Sequence, residues 1–298
     1  MSILIDKNIR VIVQGMTGKE GMFHTEQMIN YGTNIVGGVT PGKGGKNFMK
    51  IPIFNTVEDA VNKTGGFVSV IFVPFNYSFD AIVESIFSNI NIIVCITEGI
   101  PVSDMIKIKY YLNNKKTILI GPNCPGIISP EKSKVGIMPN SIFKKKGNVG
   151  IISRSGTLTY EAADQIMKMG HSISTAIGVG GDSIIGTDIK YILKLFLQDS
   201  ETDCIVIIGE IGGQQEIDAI KWMINEKIII KKPIVGFIAG KTAPQGKIMG
   251  HAGAIIRKKI ETAQVKMKIL KKLGVHIVYS PDEIGITVNN IIKNNIKK

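Results

Sequence analysis

Cysteine is sparse and dispersed in this sequence. Cys95, Cys124 and Cys204 stand far apart, which excludes a disulfide framework or a metal knuckle and fits a reducing compartment. Histidine is rarer than average too, and none of His24, His171, His251 and His276 has ligand spacing to another, so no metal site is expected. Long apolar runs are missing. A stretch such as Ile90–Ile96, interrupted by Asn91, is too short to span a bilayer, so no membrane role is expected. A strand is legible as early as Ile9–Val13, so the expectation is a cytoplasmic protein without a signal or transit peptide.

Acidic residues are outnumbered, giving a net charge of +12, yet aromatics supply only 6% and the lysines are scattered (Lys144–Lys146, Lys231–Lys232, Lys258–Lys259, Lys271–Lys272, Lys297–Lys298). Without a stacking platform or a single basic face, nucleic acid is not expected as a partner. The enrichment in Ile, Asn and Lys reads as compositional drift on a solvated surface. A nucleoside-triphosphate cradle is also lacking. The segment GKGGKN at Gly42–Asn47 has Thr40 and Asn47 where a P-loop needs glycine and a hydroxyl residue.

What is present is alternation. Apolar runs at Ile9–Gln14, Asn34–Val39, Val68–Val73, Ile92–Ile96 and Thr117–Ile120 are separated by amphipathic stretches, as with Phe79, Ile82, Val83, Ile86 and Phe87. The scheme repeats at Val149–Ser153, Ile173–Val179, Cys204–Glu210, Ile234–Ala239 and Val275–Tyr279, with helices expected over Thr157–Met169, Gln214–Asn225 and Gln264–Leu273. Strands apolar on both faces, alternating with helices, predict two α/β domains with doubly wound parallel sheets. The restart after GPNCPG (Gly121–Gly126) places the boundary near residue 122.

In such sheets ligands bind where strands turn into helices at their carboxyl ends. The first turn reads VIVQGMTGKEG, with Gly15, Gly18 and Gly21 evenly spaced ahead of a helix. It suits a pyrophosphate, although the spacing is not that of most dinucleotide enzymes. The second strand ends in VGGVTPGKGG, with no acid for ribose hydroxyls but with Lys43 on a glycine loop. A lysine there suits a ligand with an extra ribose phosphate, either NADP or coenzyme A; a merely mobile loop is the bland alternative. ITEGIP and GPNCPG form further sharp exits. Cys124 has no nearby histidine to activate it, so a turn into a helix is the better reading than a nucleophile.

In VGIISRSGTLTYE a helix begins at the turn of Arg154, Ser155, Gly156 and Thr157. That turn reads equally as an anion site or as a simple N-cap. Glu210 ends a buried strand in IVIIGEIGG, an expensive place for an acid unless it is paired or caps a turn. His251 sits among Gly250, Ala252, Gly253 and Ala254, where side-chain bulk has been removed. A glutamate accepting from Nδ1–H would fix the ring's tautomer and leave Nε2 as a nucleophile, a constellation suited to a phosphorylated histidine.

In order along the chain, MSILIDKN, GGVTPGKGG, ITEGIP, IGPNCPG, SRSGTLTYE, GEIGG and GHAGAII resemble the α subunits of succinate–CoA ligases over nearly the whole length. The resemblance implies a Rossmann-like CoA-binding domain over 1–122. A flavodoxin-like ligase domain, doubly wound around a parallel sheet, would follow over 123–298. It also implies that Thr17, Gly18, Lys19, Glu20, Lys43, Ile96, Thr97 and Glu98 contact coenzyme A, and that Tyr160 binds substrate. His251 would carry phosphate, steadied by Glu210. Asn123, Cys124 and Gly126, like Ser155, Gly156 and Thr157, would start two helices whose N-termini face that phosphate. Succinate, CoA and ATP or GTP would be interconverted with succinyl-CoA, the diphosphate and phosphate, as in tricarboxylic acid cycle substrate-level phosphorylation. A β subunit of ATP-grasp fold would hold the nucleotide and Mg2+, in an αβ or α2β2 assembly. Three rivals remain: an NADP-linked dehydrogenase, a non-catalytic CoA-binding regulator, and a malate-using relative. The sequence departs from the family at RKKIE (Arg257–Glu261), GTDIKYIL and VPFNYSFDAI.

Overall fold

A computed structural model describes residues 3–228 and 232–296. Met1 and Ser2 of the opening segment, and Lys231, Lys297 and Lys298 of the basic clusters, lie outside the described residues. The first half contains β1 (Val11–Gln14), α1 (Lys19–Asn30), β2 (Ile35–Val39), β3 (Asn47–Phe48), β4 (Ile51–Phe54) and α2 (Val57–Thr64). It continues with β5 (Val68–Ile71), α3 (Phe75–Phe87), β6 (Ile92–Cys95), α4 (Val102–Leu112) and β7 (Ile118–Ile120). The strands order as β3-β4-β2-β1-β5-β6-β7. All pairs are parallel except β3 with β4. Without the short β3, this is the strand order of a dinucleotide-binding Rossmann fold. Its inner strands β1, β5 and β6 are buried throughout, as residues with apolar groups on both faces must be.

One periodicity differs in detail. On α3, Ile82 and Ile86 are buried as expected, but Phe87 is 60% exposed and the small Ser78, Ala81 and Ser85 are inside. The reason is a polar one. The buried Gln14 amide donates to Ser69 Oγ, Ser85 Oγ and the Ala81 carbonyl, drawing the small-residue face of α3 onto β1.

The second half contains β8 (Gly126–Ser129), β9 (Ser133–Gly136), β10 (Lys146–Ser153), α5 (Gly156–Lys168), β11 (Ile173–Gly178) and α6 (Ile189–Gln198). Then follow β12 (Cys204–Glu210), α7 (Gln215–Asn225), β13 (Ile234–Ala239), α8 (Ala263–Lys272), β14 (His276–Ile277) and α9 (Ile284–Ile296). The sheet orders as β14-β13-β12-β10-β11-β8-β9. Strands β10 to β14 are parallel and take the flavodoxin order, in which the first strand lies between the second and third.

The sheet is not wholly parallel, and this corrects the reading of GPNCPG. Asn123, Cys124 and Gly126 do not start a helix. Gly126 opens β8, which pairs antiparallel with both β11 and β9. The connection from Ser129 to Ser133 is a tight turn closed by Lys132 N–H to the Ser129 carbonyl, and a link that short joins only antiparallel strands. All residues of β8 and β9 are buried, so no free N–H array is presented there.

No helix among the described residues is long and apolar enough to cross a membrane.

Candidate functional site

Parallel strands put their carboxyl ends on one edge, and the second sheet uses four of them to build one cluster. Arg154 follows β10, Gly181 and Asp182 lie in the loop after β11, Glu210 ends β12, and His251 lies in the long loop after β13. Glu210 Oε2 lies 2.7 Å from His251 Nδ1, while its other oxygen is 3.3 Å from Arg154 Nε. The carboxylate and guanidinium are buried; the imidazole is 28% exposed, and no described residue bonds its Nε2. The hydrogen bond to Glu210 is the main reason that the imidazole pKa lies above its ordinary value, against an opposing effect of burial. The neutral ring therefore carries its proton on Nδ1 and offers Nε2 as a lone pair.

Clearance around the imidazole comes from a residue remote in sequence. A Cβ at Gly181 would lie 2.6 Å from His251 Nδ1, so the ring packs flat on that glycine's main chain. The Gly253 N–H donates to the Gly181 carbonyl at 3.0 Å, tying the histidine loop to the loop after β11. Beside them, Arg154 Nη2 donates to the Asp182 carbonyl at 3.2 Å. The Asp182 carboxyl accepts from Asn123 Nδ2 at 3.0 Å, and burial pushes its pKa up.

Asn123 therefore acts as a hydrogen-bond junction. Its N–H donates to the Thr97 carbonyl at 2.8 Å and its carbonyl accepts from Gly181 N–H at 3.0 Å. It thus fastens the loop after β6, which carries Ile96, Thr97 and Glu98, to the loop beneath His251. Cys124 is buried, donates to the Cys95 carbonyl, and has its thiol pKa pushed up to about 12 by burial, which removes it as a nucleophile.

Ser155 is the N-cap of α5, its hydroxyl accepting from Leu158 N–H at 3.3 Å. Gly156 and Thr157 form the first turn, and Tyr160 follows one turn later with its hydroxyl close to Gly156. Burial raises the Tyr160 pKa to about 12, so the phenol stays protonated and able to donate. The RKKIE departure is an ordered turn: the buried Glu261 carboxylate accepts from the main-chain N–H of Arg257 at 2.6 Å and of Lys258 at 3.1 Å.

A second feature lies at the first sheet's switch point, between the ends of β1 and β5. A cavity of about 480 Å³ is lined there by Gly15, Thr17, Gly18, Thr40, Val73 and Tyr77, among others. Lys43 Nζ donates to Thr17 Oγ1 at 3.0 Å at its rim. Lys19 and Glu20 start α1 and are exposed, with Glu20 leaning towards His24 at 3.7 Å, outside the cavity lining. Thr97 donates to the Val73 carbonyl at 2.6 Å, linking this cavity to the Asn123 junction.

Sequence reasoning missed Arg154 as a partner of Glu210, and missed Gly181 and Asp182 altogether. An arginine directly after a buried strand was the available signal for the first. The glycine pair in GVGGDS was a weak one for the others.

Residues 6–99 match the CoA binding domain profile and residues 152–275 match the CoA-ligase profile. The chain is 53% identical to the ADP-forming succinate–CoA ligase subunit alpha of Staphylococcus aureus strain Mu50, over 97% of this chain and 94% of that one. The chain belongs to the succinate–CoA ligase α-subunit family. Its likeness to the corresponding Staphylococcus epidermidis subunit is 52% identity, covering 98% and 96%. Among solved structures, the ATP citrate lyase of Methanothrix soehngenii in complex with citrate and coenzyme A superposes with a TM-score of 0.90. Identity there is 23%, and the match covers 99% of this chain but 51% of that one, so the succinate–CoA ligase family chain spans about half of the lyase. The dinucleotide-forming acetyl-coenzyme A synthetase 1 of Ca. Korarchaeum cryptofilum gives a TM-score of 0.74 at 21% identity, covering 94% and 60%. These two show the fold.

Proposed function

We infer that this chain is the α subunit of an acid–thiol ligase that interconverts succinate, CoA and a nucleoside triphosphate with succinyl-CoA, the diphosphate and phosphate. The observation that carries the reading is the Glu210–His251 contact of 2.7 Å with Nε2 left open. We assign the chain's division to residues 122 and 123, with CoA binding before it and the ligase site after. Among the described residues, no group of three or more His, Cys, Asp or Glu could hold a metal ion. The α-subunit family implies a β partner, and to that partner, read as an ATP-grasp fold, we assign the nucleotide and its Mg2+, which would screen the phosphate charge. Three unpaired, buried thiols support a cytoplasmic setting.

In the synthetic direction, His251 Nε2 attacks the γ-phosphorus and the diphosphate leaves, while Glu210 holds the Nδ1 proton and stabilises the positive ring. A succinate carboxylate oxygen then attacks that phosphorus, the P–N bond breaks, and succinyl phosphate forms. The CoA sulfur attacks the acyl carbon, phosphate departs, and the thiol proton leaves with it. Arg154 and the α5 N-terminus at Ser155–Thr157 offset the migrating negative charge with donors already in place. Tyr160 donates to a substrate carboxylate. Asn123 keeps the CoA loop of Ile96, Thr97 and Glu98 against the loop beneath His251, so that thiol and acyl phosphate meet without diffusion. Thr17, Gly18, Lys19 and Glu20 offer the α1 N-terminus to the CoA pyrophosphate.

The test is labelling of the αβ complex with γ-labelled triphosphate. The expected product is an acid-labile, base-stable phosphate on this chain that is discharged by succinate with CoA. No label on this chain, or an acid-stable one, refutes the reading. A second expectation concerns Lys43, assigned to the ribose phosphate of CoA. Lys43→Ala weakens CoA binding by about tenfold at low salt, consistent with one exposed charge-assisted contact, and leaves dephospho-CoA binding unchanged. Calorimetric titration with both ligands checks it; equal losses for the two would remove Lys43 from that role.

A further inference from the structure

Against the main chain of Glu210 lies an ion pair without solvent exposure. Lys266, on α8, donates to Glu216 Oε2, on α7, at 2.7 Å, and both side chains are 0% exposed. Burying two charges is expensive, and replacement by apolar residues is often neutral or better for stability. A pair buried at such a site calls for another use.

Its hydrogen bonds point to one. The three ammonium protons of Lys266 go to Glu216, to the Glu210 carbonyl at 2.7 Å and to the Gly212 carbonyl at 2.9 Å. Glu216 Oε1 in turn accepts from the Glu210 N–H at 3.4 Å. Both main-chain groups of the residue that orients His251 are therefore gripped by one ion pair. The approach needs the glycine before Glu210, since a Cβ at Gly209 would lie 2.8 Å from the Glu216 carboxyl carbon. Neither Lys266 nor Glu216 bonds to His251 or Arg154, so the direct hydrogen-bonded route from the pair to the imidazole runs through Glu210.

We propose that Lys266 and Glu216 are positioning residues for histidine phosphorylation, clamping the Glu210 main chain so that its carboxylate stays between Arg154 and His251. A lysine is suited to this because its three donors radiate from one point and reach three acceptors at once. The inference rests on the phosphohistidine reading above.

The experiment uses the αβ complex and the single-turnover rate of His251 phosphorylation across pH. The double variant Lys266→Met/Glu216→Gln removes one charge of each sign, so the local net charge is conserved. It is expected to slow phosphorylation by about 10- to 100-fold, the range for outer partners of a reactive ligand. It should also move the acid limb of the profile to lower pH and leave the KM for CoA unchanged. In a Glu210→Gln background the same pair of changes should cost less than about threefold more, because the effects share one route. Multiplying losses in that background, or a slowed rate with an unmoved acid limb, would overturn the proposal and leave the pair as core structure. If that double variant does not fold, Lys266→Gln/Glu216→Gln, which also conserves the local net charge, is expected to slow the step severalfold and shift the limb in the same direction; an unaltered profile overturns the proposal. Absence of any acid-labile label on the wild-type complex defeats the functional reading itself, and the inference with it.

Discussion

His251→Asn abolishes phosphoryl labelling of this chain, and turnover of the αβ complex falls by on the order of 10^4-fold or more, as when the nucleophile of a covalent mechanism is deleted. Asparagine keeps a polar group that can bond Glu210 Oε2, now 2.7 Å from the imidazole, so the loop keeps a partner for the buried carboxylate. What it lacks is a ring nitrogen with a lone pair directed outwards. The site is 28% exposed at this residue, and the ring rests on Gly181 without filling a core cavity, so the fold should survive the change. Calorimetric CoA binding should match wild type, because the cavity at the end of β1 does not include this loop. Labelling and steady-state turnover are the measurements. A persistent acid-labile label, or turnover within tenfold of wild type, would mean that another residue carries the phosphate.

Glu210→Gln is expected to lower the phosphorylation rate by about 10^2- to 10^4-fold, the range seen when the acid that orients a reactive imidazole becomes an amide. Two costs combine. The amide can turn its NH2 towards Nδ1 and favour the wrong tautomer, and Arg154, only 3% exposed, loses the carboxylate 3.3 Å away. The pH profile carries a separate signature. Glu210 holds the His251 pKa above its ordinary value of 6.5. Attack requires the neutral ring, so wild-type phosphorylation declines as pH falls through that raised pKa. Removing the negative partner lowers the pKa, and the decline in the variant begins at lower pH although its plateau is lower. A single-turnover pH series decides it. An acid limb that stays in place or moves to higher pH would show that the carboxylate does not govern the ring.

Much of the architecture is readable from local pattern. The strands expected over Cys204–Glu210 and Ile234–Ala239 are found with those bounds, and the helix expected over Gln214–Asn225 begins one residue later. Apolar runs of β-branched residues flanked by glycine turns leave few other conformations that bury them. GPNCPG defeated the same logic. Its Pro and Gly spell a sharp turn, but whether a helix or a strand follows depends on which surface receives the next residues. Here Ile127 and Ile128 pair with Ile177 and Ala176 at an open edge of the second sheet, and that edge is supplied by a strand some fifty residues further on in the chain. Likewise the apolar stripe on α3 is legible, but not its rotation, which the buried amide of Gln14 sets from across the sheet.

The candidate site divides in the same way. Local pattern is enough to establish that two α/β units alternate strand and helix, that a glutamate ends one buried strand, and that a histidine stands among small residues. These are properties of periods and neighbours within a few positions. Long-range packing settles that Gly181 clears the ring, that Arg154 and Glu210 meet, that Asn123 joins the two sheets' loops, and that Lys266 reaches Glu210. Each of those contacts spans dozens of residues, and parallel strands bring such distant segments to a common edge without leaving any trace of the pairing in local composition.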